Sequence, residues 1–177
     1  KGINYARGKY LLFLNAGDII NNSSSIKYLE EKLKKNNYDV ICFSWKTIIK
    51  KKEFQKTANF RRNKFTRLLR MPSSHQSMIY NRKILKQNPY DENYLICGDF
   101  AMYINSLKKG WRYKIYQNIF LVKFSTLGIS TKKPILLAWE SAHVIFKYTK
   151  IGFFKKSAIA IILVTRTFLR YFFIILN

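Results

Sequence analysis

The alternation of apolar segments restricts this chain more than any other feature. Residues 9–14 (KYLLFL) form a nearly unbroken apolar run that stops at Asn15-Ala16-Gly17-Asp18, as a buried strand does on meeting a turn. The Ser23-Ser24-Ser25 cluster then offers an N-cap for an amphipathic helix through about residue 35, with Ile26, Leu29 and Leu33 on one face. Asn36-Asn37 breaks it. Residues 38–49 (YDVICFSWKTII), rich in β-branched and aromatic side chains, read as a second strand. Strand, helix, strand in that order predicts a right-handed crossover and an α/β layer.

The remaining segments extend this pattern. Residues 46–70 carry ten Lys or Arg against the single acid Glu53, which predicts a solvated loop or hairpin followed by a short helix. Residues 76–80 (QSMIY) read as a strand, and residues 81–87 as a helical turn ended by Asn88-Pro89. Residues 99–109 have helical spacing, with Phe100, Tyr103, Ile104 and Leu107 on one side and Gly110 as the stop. Residues 111–116 and 119–124 read as two more strands. After Ser130 the chain turns helical, over residues 134–150 and then over the very apolar residues 153–176. The organisation expected is a domain over residues 1–130 and a helical extension over residues 131–177. The pattern is already under way at Lys1, without an initiator Met, so the chain is expected to lack an N-terminal part of its domain.

With 33 Lys and Arg against 9 Asp and Glu, the net charge is +24, so some anion faces this protein: a nucleic acid, a phosphorylated substrate or an anionic membrane leaflet. An apolar content of 48% excludes a disordered basic tail. Cys42 and Cys97 are too few for a disulfide framework or a thiolate zinc cluster, and both lie in apolar runs. The sequence has no Gly-rich phosphate loop, no nucleophile elbow and no His pair at helical spacing. A basic nucleic-acid-binding protein is the runner-up reading. It is disfavoured because the basic residues come without an RNP-type aromatic motif, a helix-turn-helix signal or zinc ligands.

With so few acids, the positions of the remaining ones matter. Asp18 ends a strand on a Gly-containing turn, where an α/β sheet gathers ligands. It could approach a metal or phosphate, or simply sit on a tight turn and cap the next segment. Asp99, after Cys97-Gly98, opens a helix. It reads as an N-cap or as a general base for an incoming hydroxyl. His75-Gln76 enters a strand and could reach the same strand-end crevice as Asp18. His143, in an apolar helix, reads as structural.

In order and spacing these segments resemble a family-2 glycosyltransferase of the GT-A fold, in its colanic-acid-type bacterial polysaccharide branch. The stretch Lys1-Gly2-Ile3-Asn4-Tyr5-Ala6-Arg7-Gly8-Lys9-Tyr10 is similar to the family's approach to its central strand. Phe13-Leu14-Asn15-Ala16-Gly17-Asp18 resembles the element that stands where relatives carry an Asp-rich metal motif, with Asn15 and Gly17 in place of acids. Met71-Pro72-Ser73-Ser74-His75-Gln76 and Tyr90-Asp91-Glu92 followed by Gly98-Asp99-Phe100 resemble two further elements, and residues 124–130 (FSTLGIS) the closing one. The match covers residues 1–130.

The resemblance implies an α/β fold, a partial GT-A (Rossmann-like) sheet with flanking helices, followed by apolar C-terminal helices. It implies an enzyme that moves a sugar from a nucleotide-sugar donor to a hydroxyl of a saccharide or lipid-linked saccharide acceptor, with inversion, in bacterial surface polysaccharide synthesis. Asp99 would be the catalytic base. Asp18 would hold a Mg²⁺ or Mn²⁺ ion on the donor diphosphate, while Asn15, His75 and Gln76 would bind sugar or phosphate oxygens. The basic segment 46–70 would face an anionic acceptor. The isolated chain is expected to be inactive, and a degenerate transferase remnant is a further reading.

Residues 157–176 have the length of a membrane-spanning helix. Arg166 and Arg170 fall near the middle, however, and each would cost roughly 2.5–3.5 kcal/mol at a bilayer centre. A helix lying in an anionic membrane surface is expected instead, with Arg166, Arg170 and Thr167 toward headgroups and Phe168, Phe172 and Ile175 inward. Lys147, Lys150, Lys155 and Lys156 would add attraction. This predicts a peripheral protein of the cytoplasmic face of a bacterial inner membrane; a buried core or dimer helix is the alternative.

Overall fold

The computed structural model of the protein describes residues 2–21, 29–31, 33, 37–49, 51–125 and 128–176, the last three without side-chain detail. The chain divides into two compact units. The first comprises Lys1–Phe60, Pro72–Pro89 and Trp111–Thr126; the second comprises Arg61–Met71, Tyr90–Gly110 and Leu127–Asn177.

The first unit is built on a mixed sheet. Its strands are β1 (Tyr10–Leu12), β2 (Ile19–Ile20), β3 (Val40–Ile49), β4 (Lys52–Lys56), β5 (Met78–Asn81) and β6 (Tyr113–Ser125). The order is β1-β5-β3-β6-β2, with β4 hairpinned onto β3. β3 and β6 are parallel and the other pairings antiparallel. β1 and β3, the two strands most visible in the sequence, therefore run the same way but do not touch, because β5 is inserted between them. β3 is the centre: Val40, Ile41, Cys42 and Phe43 have no exposed surface, as an uninterrupted apolar run buried on both faces requires. Ile79, Leu121 and Val122 complete this core with Leu29, and Leu33 packs against it. Residues 29–31 and 33 are helical; the rest of the helix expected over residues 23–35, Ile26 included, lies outside the described residues.

The two strands expected over residues 111–116 and 119–124 are one. The Gln117-Asn118 pair does not end the strand; it bulges. Phe43 faces Tyr116, but Ser44 faces Phe120 and Trp45 faces Val122. Ser44 accommodates the slip, donating from Oγ to the Gln117 carbonyl at 2.5 Å and accepting the Ala58 N–H at 3.0 Å. Beside β5 lies α3 (Arg82–Gln87), capped by the Asn81 side chain. It packs near α1 (Gly2–Tyr5), where Arg82 Nη1 donates to the Ala6 carbonyl.

The second unit is helical: α2 (Lys64–Leu69), α4 (Gly98–Lys108), α5 (Ile129–Lys132), α6 (Pro134–Tyr148) and α7 (Phe153–Leu176). Its core joins Met102, Tyr103 and Ile104 of α4, Val144 and Ile145 of α6, and Ile159 and Leu163 of α7. Gly110 closes the α4 end at φ 70°, a conformation that favours glycine. On α7, Thr167 is not fully exposed. It is half-buried on the face it shares with Ala160 and Leu163, and its hydroxyl donates to the Leu163 carbonyl at 2.9 Å. No described helix is long and apolar enough to cross a membrane.

Candidate functional site

The residues after β1 form a tight turn. The Asp18 N–H donates to the Asn15 carbonyl at 3.0 Å, and the Asn15 N–H returns to Asp18 Oδ2 at 2.7 Å. Gly17 sits at φ 88°, a backbone state that side chains with a Cβ resist. Asp18 thus caps its own turn rather than the following segment. The Asn15 side-chain nitrogen lies 3.3 Å from His75 Nε2, so a residue sixty positions downstream joins the strand end.

His75 is held there by a short 3₁₀ turn, His75–Ser77, that leads into β5. The Ser73 hydroxyl donates to the Phe43 carbonyl at 2.5 Å, pinning the approach to the central strand. Gln76 is 7% exposed and its Oε1 accepts from the Ser74 hydroxyl, so it supports the turn from within. Of the five residues singled out from the sequence, Asn15, Asp18 and His75 meet through direct contacts, and Gln76 is next to them in the chain.

Among the described residues no three His, Cys, Asp or Glu side chains gather to hold a metal. A hard cation that arrives on a diphosphate does not need such a cage: one carboxylate, phosphate oxygens and waters complete its shell. Asp18 is half-buried, and its Oδ2 accepts the Asn15 N–H, so its carboxylate could offer Oδ1 to such an ion.

Asp99 belongs to the second unit. It is not the N-cap of α4; Cys97 is, and Asp99 stands in the first helical turn with Oδ1 accepting the Phe100 N–H at 2.7 Å. A carboxylate is favoured there by the helix dipole. The loop leading to it is anchored by Glu140, which the sequence analysis does not single out. Glu140 is 2% exposed on α6, and its carboxylate accepts the backbone N–H groups of Leu95, Ile96 and Cys97. An acid flanked by Trp139, Ala138 and Leu137 in an apolar helix was the available signal. Asp91, half-buried, accepts from Lys147 Nζ and the Tyr148 hydroxyl, both at 2.6 Å, and these hold its carboxyl well below the usual range. His143 is structural, with Nδ1 3.0 Å from the Tyr94 hydroxyl and its ring stacked on Trp139.

The β6 bulge opens a cavity of about 450 Å³ in the first unit, with Phe60, Tyr116, Gln117 and Asn118 in its wall.

Residues 1–111 match the family described as glycosyl transferase family 2. An uncharacterized glycosyltransferase of Methanocaldococcus jannaschii is 32% identical over 133 residues, covering 70% of this chain and 44% of the relative. Crystal structures of S. aureus TarS residues 1–349, in complex with UDP and with UDP-GlcNAc, superpose with a TM-score of 0.57 at 16% identity. Each covers 94% of this chain, which spans 49% and 50% of those structures. The chain thus spans less than half the length of the curated relative it matches. At that identity the likeness is one of fold, and with the mixed sheet and flanking helices it gives the chain the GT-A architecture. By the family match over residues 1–111, the chain belongs to glycosyl transferase family 2.

Proposed function

We propose that this chain forms part of an inverting glycosyltransferase that moves a sugar from a nucleotide-sugar donor to an acceptor hydroxyl. The observation that carries the reading is the meeting of Asn15, Asp18 and His75 at the end of β1, in a chain of this family. In this reading Asp18 would hold Mg²⁺ or Mn²⁺, and the ion would supply charge neutralisation for the departing nucleoside diphosphate. Asn15 and His75 hydrogen-bond phosphate or sugar oxygens, and Gln76 keeps their turn in shape. Asp99 takes the proton of the attacking acceptor hydroxyl, and attack opposite the leaving group inverts the anomeric carbon. UDP and UDP-GlcNAc in the TarS structures support a nucleotide-sugar donor.

The acceptor is a saccharide or lipid-linked saccharide, and the product a bacterial surface polysaccharide of the colanic-acid type. Synthesis takes place at the cytoplasmic face of the inner membrane, where the basic helices meet an anionic membrane surface. The test is transfer by the protein expressed from its whole reading frame, across a panel of UDP-, GDP- and dTDP-sugars with lipid-extract acceptors. Asp99→Asn is expected to lower kcat by roughly 10²–10⁴, and Asp18→Asn to raise the Mn²⁺ concentration needed for half-maximal rate. A fully active Asp99→Asn protein refutes the base assignment. NMR of the new linkage reports inversion directly.

A further inference from the structure

The outward face of α7 is largely apolar from Phe154 to Phe173, with the exposed Thr165 within it. Phe154, Ile161, Ile162, Leu169, Phe172 and Phe173 are exposed, with Phe154 at 87% and Phe173 at 69%. At 100° per residue all six fall within one half of the helix, opposite the buried Ile159, Ala160 and Leu163. From Phe154 to Phe173 the stripe is about 29 Å long. It continues onto α6: Phe153, stacked edge-on against Phe154, is also edge-on to Phe146, and the exposed Trp139 lies two turns before Phe146.

One flank of the stripe is cationic. Lys155 and Arg166 lie at the edge between the exposed and buried faces, the exposed Arg170 lies past that edge in line with the buried face, and α7 contains no acid. Arg166 Nη1 donates to the Leu69 carbonyl at 2.6 Å, which seats its guanidinium beside Arg70 at the end of α2. Among the described residues none of these cations pairs with a carboxylate. Loss of hydration, then repulsion by Arg70 and Arg170, lower the Arg166 pKa, as expected where positive groups converge without an anion.

We propose that the α7 stripe lies flat in an anionic lipid surface, with its aromatic and aliphatic side chains at the acyl boundary and Lys155, Arg166 and Arg170 on lipid phosphates. An apolar face rimmed on one side by cations is complementary to a bilayer of anionic lipids. A second copy of this chain would bring like charges together along the same edge. The proposal deepens the membrane part of the reading above and rests on it for its biological setting, but its test does not depend on transfer.

The experiment is flotation of the 177-residue chain with large vesicles of phosphatidylcholine alone and of phosphatidylcholine with 30 mol% phosphatidylglycerol, at about 0.1 M salt. The expected result is at least tenfold stronger partitioning to the anionic vesicles. Phe154→Ser/Leu169→Ser/Phe172→Ser should reduce it at least tenfold. Lys155→Glu/Arg170→Glu should abolish the preference for anionic over neutral vesicles. All three substituted apolar residues are exposed, so the far-ultraviolet dichroism and unfolding midpoint should be unchanged, which separates loss of the surface from loss of the fold. Wild-type protein left unbound to anionic vesicles overturns the proposal. So does a triple variant that floats like wild type, or a dimer in light scattering that the triple variant abolishes. Transfer measured in detergent micelles on the same substitutions in the protein expressed from its whole reading frame keeps the two readings apart, because loss of lipid binding should leave it unchanged.

Discussion

Glu140 on α6 receives the backbone N–H of Cys97 on its carboxylate at 2.7 Å, forty-three residues back along the chain. Leu95 and Ile96 reach the same carboxylate at 2.9 Å each, so one buried acid satisfies three successive amides in the loop that delivers Asp99. Backbone donors turned inward by a loop need acceptors, and a charged acceptor shared by three is a strong one.

Removing that acceptor should therefore cost more than an ordinary helix substitution. Glu140→Ala is expected to destabilise the protein by about 2–4 kcal/mol, because three amides lose their partner. Glu140→Gln, which keeps one acceptor oxygen, should fall between it and wild type. Urea unfolding at neutral pH measures both. An alanine variant within about 0.5 kcal/mol of wild type would show that the anchor does not stabilise the fold.

Asp91 ties the same loop to the end of α6 through Lys147 and Tyr148, and its carboxyl titrates below its ordinary value of 3.8. A carboxyl depressed in the folded state stabilises above its unfolded pKa and loses that contribution as pH falls through the folded one. Asp91→Asn should be less stable than wild type by about 1–3 kcal/mol at pH 7. The difference should shrink once the pH drops below about 4. Unfolding midpoints from pH 7 to pH 2 decide it: a gap independent of pH would remove Asp91 as its source.

Gly17 carries the Asn15–Asp18 turn at φ 88°, and a Cβ added there meets no atom within 4 Å. Any cost of Gly17→Ala is then backbone strain alone, about 1–2 kcal/mol. Gly17→Asn should cost less, since Asn tolerates the left-handed region better. Thermal unfolding of the two variants gives the order, and an alanine variant as stable as wild type would mean the turn relaxes.

Neither cysteine should react in the folded protein. Burial pushes the Cys97 thiol up to about 12, and Cys42, fully buried in β3, further still. Modification by a chromogenic disulfide at pH 8 should be on the order of 100-fold slower than in urea for both. Rapid labelling of one thiol in the native state would locate an opening of that core.

Much of the architecture could be read from the chain. β1, β3 and β5 and helices α4, α6 and α7 stand close to where apolar periodicity put them. Periodicity reports which side of a segment is turned away from water, and that depends on near neighbours in sequence. The same logic misread Gln117-Asn118, because a polar pair marks a turn only when no partner strand absorbs it; here Ser44 does. It also gave no sign that Thr167 would be half-buried, which its hydroxyl bond to the Leu163 carbonyl allows at little cost.

By itself, then, the sequence determined the elements, the two basic regions, the family resemblance and the short list of acids worth attention. Only the tertiary structure decided how they combine. It inserted β5 between β1 and β3, set His75 against Asn15, and gave Glu140 the amides of residues 95–97. Each depends on contacts between residues more than thirty-five positions apart. The physical reason is that burial and local hydrogen bonding leave a pattern along the chain, whereas the partner a buried polar group finds is chosen only when distant segments pack.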